Sequence, residues 1–176
     1  MTSKADAIDN YILGKDCNRP FRLDNAFAES ATLKMVVQTE SITFPPSLIG
    51  REPIADTLVR QFNQQYENIH TICIGARPEI DSEKFSCHWM VVMSEKKSGV
   101  LRVGCGHYDW EFCHSTHLIQ DLVITIDFME FATVPSLAPA MLWVSSLPYP
   151  WCDIANIAKN PPNIPALLRV VNHLSD

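Results

Sequence analysis

The chain has 176 residues, 47% of them hydrophobic and 19% charged. That balance supports one packed domain and excludes global disorder. Its net charge is −6 and its densest basic spot is the pair Lys96-Lys97, so a phosphate-tracking surface is not expected and nucleic acid is excluded as a partner. No apolar run approaches the roughly 20 residues that cross a bilayer. The opening MTSKADAIDNYILGKD sets charges among its apolar positions, unlike a signal-peptide core. The expectation is a cytoplasmic protein with no membrane association.

Ser3 as cap, Asp6 in the first turn and the stripe Ala5, Ile8, Tyr11 and Ile12 predict a helix over 3–15, ended by Gly14. Pro20 suits the first turn of a short second helix over 20–31, with Leu23, Ala26 and Phe27 turned inward. TLKMVVQTESITFPP then changes to β-forming residues, as a strand pair or one kinked strand, and SLIGREP reads as a loop. Pro53 opens a third helix over 52–67, in which Ile54, Leu58, Val59, Phe62 and Tyr66 recur at spacings of three and four. Four strands follow, over 70–79, 84–94, 100–112 and 118–131. SEKKSG forms the hairpin turn between the second and third, and CHSTH the turn before the last.

The last three of these strands exceed the usual length of about 5–6 residues. In FSCHWMVVM, Phe85, Cys87, Trp89, Val91 and Met93 share one face, while Met90 and Val92 occupy the other. A sheet apolar on both faces must be covered on both. Three helices can cover one face, and a second copy of the chain is the expected cover for the other. The fold class is therefore α+β. A strongly bent antiparallel sheet wraps three N-terminal helices around a cone-shaped cavity, with a homodimer through the convex face. Residues 133–176 are Pro-rich (VPSLAP, LPYPWC, NPPNIP) yet hold apolar helical stretches at 140–147 and 166–174. They read as a packed extension of the same domain, an arm or lid. Six cysteines include no CxxC pair and read as free thiols, three of them in strands.

The chemistry-bearing candidates cluster in the strands. His107 and Asp109 stand two apart in GVLRVGCGHYDWEF, so they share a face. A carboxylate beside an imidazole fixes its tautomer and raises its pKa, as proton-transfer sites require, although a plain polar pair has the same spacing. His88 joins them only if opposed residues of the hairpin have an odd sum of numbers; an even sum sets it on the other side. Asp127, in LVITIDFMEF, is either a pocket carboxylate or a solvent-facing strand end. No HxH or HxxxH spacing links the strand histidines, so no metal is expected. The two glycines of GCGHYD suggest a bend or close backbone approach rather than a phosphate loop.

The order of elements, together with YILGKDCNRPFRLDNAFAESATLKM, GREPIADTLVRQF and IHTICIG, resembles the nuclear transport factor 2-like superfamily over residues 5–131. Within it the likeness is to the SnoaL-like, scytalone dehydratase-like and ketosteroid isomerase-like proteins. The resemblance implies a cavity between helices and concave sheet. It sets a dehydratase-type histidine on His70, a polar strand position on or near Asp109 and a first-helix tyrosine on Tyr11. The isomerase-type acidic base has no match in SITFPPSLI. The leading expectation is a cofactor-independent lyase or isomerase acting on a small, fairly apolar molecule. His70 would be the acid/base, His107 and Asp109 an orienting pair, and Tyr11, His88, Tyr66 and Trp110 would bind substrate. The alternative is a non-catalytic ligand-binding or dimerisation module of the same fold.

Overall fold

A computed structural model describes residues 2–176. Helix α1 (Lys4–Asp16) opens with Ser3 as the expected cap, and Asp6 of the first turn bonds back to it to complete a capping box. It runs past Gly14, where an added Cβ would meet Leu23 Cδ1 at 2.8 Å, so this glycine permits close packing instead of ending the helix. The second helix shrinks to a 3₁₀ turn (Pro20–Asn25), because strand β1 (Phe27–Val37) begins seven residues after its Pro20. The expected SLIGREP loop contains strand β2 (Ser47–Ile49), antiparallel to β1. Helix α2 covers residues 51–65 as a continuous rod whose middle, Asp56–Gln61, is π-helical.

Strands β3 (Tyr66–Ile74), β4 (Lys84–Glu95), β5 (Leu101–Phe112) and β6 (Ile119–Ala132) form the expected antiparallel meander. The sheet has seven strands, ordered β2-β1-β6-β5-β4-β3-β7, and it is mixed. β1 runs parallel to β6, and the short β7 (Trp151–Cys152) runs parallel to β3. An all-antiparallel sheet was the expectation. A helix and four strands separate β1 from β6, which gives the chain the long crossover that parallel pairing needs.

Both sheet faces are apolar, as the strand pattern required. Tyr11, Phe27, Ile54, Val59, Trp89, Val91, Tyr108 and Ile124 belong to the concave core. Ile72, Met90, Val92, Leu101, Val103 and Cys105 belong to the convex one. Helices α3 (Leu137–Ser145), α4 (Ile154–Ala158) and α5 (Pro165–Ser175) cover that convex face with Ala140, Val144, Ile157, Leu167 and Val170. A second copy of the chain was the expected cover for this face; the tail supplies that cover within the one chain. The apolar residues of the face are already buried, and residues 133–176 do the burying.

Two register details decide which side chains meet. In the β4–β5 hairpin His88 opposes His107 and Ser94 opposes Leu101; the sum is odd, so His88 and His107 share a face. In β3 the pairing shifts between Glu67↔Ser94 and His70↔Val92. Asn68 sits at that bulge with φ of +52°, a left-handed conformation that asparagine tolerates better than most residues. One extra residue reverses the facing of everything after it.

The glycines of GCGHYD do mark close approach. A Cβ on Gly106 would lie 1.8 Å from the Thr125 carbonyl oxygen, whereas one on Gly104 would meet mainly the flexible end of Met129. Gly106→Ala should therefore destabilise the protein by about 3 kcal/mol or more, and Gly104→Ala by about 1 kcal/mol. Urea denaturation of the two variants checks the ranking; equal losses would contradict it.

Candidate functional site

The helices and the concave sheet enclose a cavity of about 40 Å³, lined by Tyr11, Lys15, Phe44, Phe62, Thr71, Trp89, Tyr108 and aliphatic neighbours. At roughly 10–15 Å³ per water, this holds about three waters. The segment 38–46 closes its mouth: Phe44 stacks on Phe62 with ring centroids 6.2 Å apart. Arg102 donates to the Ser41 carbonyl at 2.5 Å while Ser41 Oγ donates to the Met129 carbonyl at 2.6 Å. Beyond Phe44 lies a second recess of about 70 Å³, bordered by Thr57, Gln61, Gln65 and Tyr66. Ile42, Phe44 and Phe62 line both, so movement of Phe44 would merge them.

The polar part of the cavity wall is a buried network at the end of α1. Lys15 and Asp16 side chains are only 8% and 2% exposed and pair at 2.8 Å. Lys15 Nζ also donates to Thr71 Oγ1 at 2.6 Å and lies 5.4 Å from the centre of the Phe62 ring. Asp16 accepts from Thr71 twice, from the backbone N–H at 2.6 Å and from Oγ1 at 2.9 Å. Tyr149 Oη supplies a further donor at 3.0 Å. A buried carboxylate requires such a shell of donors. The network bonds α1 to β3, so it shapes the cavity as well as lining it.

Tyr11 and Tyr108 face each other with ring centroids 6.0 Å apart. Burial pushes both phenol pKa values up, and their mutual proximity raises that of Tyr108 further. Both therefore stay protonated, and each hydroxyl can donate as well as accept. Trp89 stacks on Tyr108, and its indole N–H is buried with no partner. Asp16 stands behind Lys15 and Thr71 and does not itself line the cavity, so among the described residues no carboxylate and no imidazole lines it.

The sequence-predicted residues divide accordingly. Tyr11 lines the cavity. Trp110 packs behind it, 5.7 Å from the Tyr11 ring and 4.9 Å from Tyr108, with an unpartnered indole N–H of its own. Tyr66 borders the outer recess against Phe62. His70 lies outside the cavity, because the Asn68 bulge turns it to the convex side opposite Val92. There its ring packs on Tyr149 at 4.5 Å with Nε2 buried and unpartnered. His88, His107 and Asp109 are also convex. His107 and Asp109 are 39% and 47% exposed and 3.6 Å apart, Asp109 accepts from Ser86 at 2.6 Å, and His88 stands 6.1 Å from His107. The structure does not bring these four residues together with the cavity. Asp127 is no pocket carboxylate either; it meets His173 of α5 at 3.1 Å. Among the described residues, no group of three or more His, Cys, Asp and Glu side chains could hold a metal ion, and no helix is long and apolar enough to cross a membrane.

Lys15, Asp16, Thr71, Trp89 and Tyr108 were not singled out from sequence. A signal existed for Lys15: it continues the Ile8, Tyr11, Ile12 stripe at a spacing of three to four, so the helix's buried face ends on a charge. For Tyr108, the neighbour of two noted polar residues, the signal was its odd-one-out position on the opposite face.

These features define a small, mostly apolar cavity on an α+β scaffold, and the chain has the nuclear transport factor 2-like fold. No family model matches the sequence, and no curated protein matches it. Solved structures do match. A ketosteroid isomerase-like protein from Catenulispora acidiphila, in complex with trimethylamine, superposes with a TM-score of 0.53 and 14% identity, covering 67% of this chain and 82% of that one. An NTF2-like protein of unknown function from Exiguobacterium gives 0.51 and 15%, over 69% and 98%. The BvnE pinacolase from Penicillium brevicompactum gives 0.55 and 14%, over 70% and 85%.

Two predictions follow from this geometry. Replacing Asp16 by Ala leaves Lys15 and the Thr71 amide buried without a carboxylate, and should cost about 3–5 kcal/mol of stability; thermal and urea unfolding measure it. His70 should titrate below the usual histidine range, because burial disfavours its charged form more than Asp16 favours it. Its unfolded form takes up a proton near pH 6.5 while the folded form resists. Stability should thus fall as pH drops from about 6.5 through the lowered folded value, and less steeply in His70→Asn. An NMR titration of the imidazole and urea melts across that window test both statements.

Proposed function

We propose that the concave cavity binds a compact, neutral, largely apolar molecule bearing a carbonyl oxygen. One observation carries the reading: the polar groups on the cavity wall can all donate a hydrogen bond, and none is a carboxylate or an imidazole. Tyr11 and Tyr108 are held protonated by burial, Trp89 has a free buried N–H, and Lys15 is an ammonium. A buried donor without an acceptor is costly, and a ligand oxygen removes that cost. The Lys15 charge is balanced by Asp16, so a carboxylate ligand would bring an uncompensated charge into an apolar space. An amine would find no carboxylate there, only phenol and hydroxyl oxygens, to accept from it.

Catalysis by proton transfer, of the lyase or isomerase kind and without a cofactor, is the second reading. The donors that polarise a carbonyl also stabilise an enolate or protonate a leaving oxygen. It ranks second because the wall offers neither carboxylate nor imidazole to accept a proton. Enzymes such as the pinacolase show that this fold serves small-molecule chemistry in other chains. The six free cysteines support a reducing, cytoplasmic setting.

The test uses three probes of similar size: cyclopentanone, cyclopentylamine and cyclopentanecarboxylate, titrated against the methyl NMR signals of Met35, Ile124, Ile126 and Met129. Cyclopentanone should bind at least about tenfold more tightly than the other two, a difference of about 1.4 kcal/mol. Lys15→Met and Trp89→Phe should weaken it. Preference for the amine would reject the donor-wall reading, and hydrogen–deuterium exchange of the bound ketone's α-protons would promote the catalytic one.

A further inference from the structure

The segment 148–152 is more than a link to the last two helices. It runs along the open edge of β3, where the Cys73 amide donates to the Pro150 carbonyl at 2.7 Å and the Gly75 amide to that of Cys152 at 3.1 Å. Trp151 Nε1 bonds Asp9 Oδ1 of α1 at 2.7 Å. One residue of this strap, Tyr149, reaches the carboxylate of Asp16 at 3.0 Å, and Asp16 in turn holds Lys15 at the cavity wall. The Tyr149 ring is oriented from beneath by the His70 imidazole, 4.5 Å away.

We infer that Tyr149 is a positioning residue of the cavity: through Asp16 it sets where the Lys15 ammonium stands, so the C-terminal strap completes a site whose walls belong to the N-terminal part of the chain. The inference rests on the cavity being the ligand site. Asp16 has two carboxylate oxygens and four donors: Lys15, both donors of Thr71, and Tyr149. Oδ1 takes Lys15 and the Thr71 hydroxyl; Oδ2 takes the Thr71 amide and Tyr149. Removal of the Tyr149 hydroxyl leaves Oδ2 with one neutral donor inside the protein. The carboxylate then gains by rotating toward water or by drawing Lys15 to Oδ2, and either movement displaces the ammonium from Thr71 and from the cavity. Trp151 anchors the same strap without touching Asp16, which separates positioning from general docking.

The experiment compares full-length wild type, Tyr149→Phe and Trp151→Phe. The first readout needs no ligand: the ¹³Cε–¹Hε NMR signal of Lys15, assigned with Lys15→Met. The second is the affinity for cyclopentanone. Tyr149→Phe should move the Lys15 signal and weaken cyclopentanone about fivefold or more, while Trp151→Phe leaves both near wild type. An unmoved Lys15 signal in Tyr149→Phe overturns the inference. So does an equal shift in both variants, which would mean simple loosening of the strap. If the signal moves as expected but wild type binds no probe, the positioning role stands and the ligand reading of the cavity fails.

Discussion

A long sheet with apolar residues on both faces is the constraint from which the architecture follows. Hydrophobic burial contributes roughly 25 cal/mol per Å², so neither face of β4–β6 can be left to water. Helices α1 and α2 cover the concave side and leave a small void where the sheet bends away from them. The tail covers the convex side. Between α3 and α4, which both pack on the convex side, the tail crosses the β3 edge, and there 148–152 meets the end of α1. The Lys15–Asp16–Thr71–Tyr149 network lies at that crossing. The polar end of the cavity thus sits where the two covering layers are joined.

Parity decides which polar residues serve the cavity. Along a strand the side chains alternate, so a one-residue bulge reassigns a whole segment. Before the Asn68 bulge Tyr66 faces the concave side; after it Thr71 does, and His70 is sent to the convex side. The β4–β5 hairpin sends His88, His107 and Asp109 the same way. The histidines that suggested proton transfer therefore stand outside the cavity, and phenols, an indole and an ammonium line it. This inverts the chemistry expected of the interior, from proton shuttling to hydrogen-bond donation.

Much of the scaffold was legible in sequence. Helix α1 with its Ser3 cap, α2 and four strands follow from apolar periodicity and turn residues, and the likeness of the opening to the superfamily is consistent with the fold. The odd register of the hairpin was readable as one of two alternatives. The facing of His70 was not, because a bulge leaves no periodicity signal beyond an asparagine suited to positive φ. The parallel β1–β6 pairing was also hidden, since it joins strands about ninety residues apart. A second copy and a folded-back tail satisfy the same apolar face equally well on sequence grounds; only the three-dimensional path of 133–176 separates them. Lys15 was legible in principle, as a charge ending an apolar stripe, but a helix-terminal lysine is ordinarily solvated.

The concave cavity, and not the convex histidine face, is the proposed seat of a ligand. Intermolecular NOEs from cyclopentanone to the protein test that most directly. Contacts are expected to the methyl groups of Met35, Ile124, Ile126 and Met129 and to the rings of Tyr11 and Tyr108. NOEs confined to His88, His107 and their neighbours on the convex surface would contradict that placement.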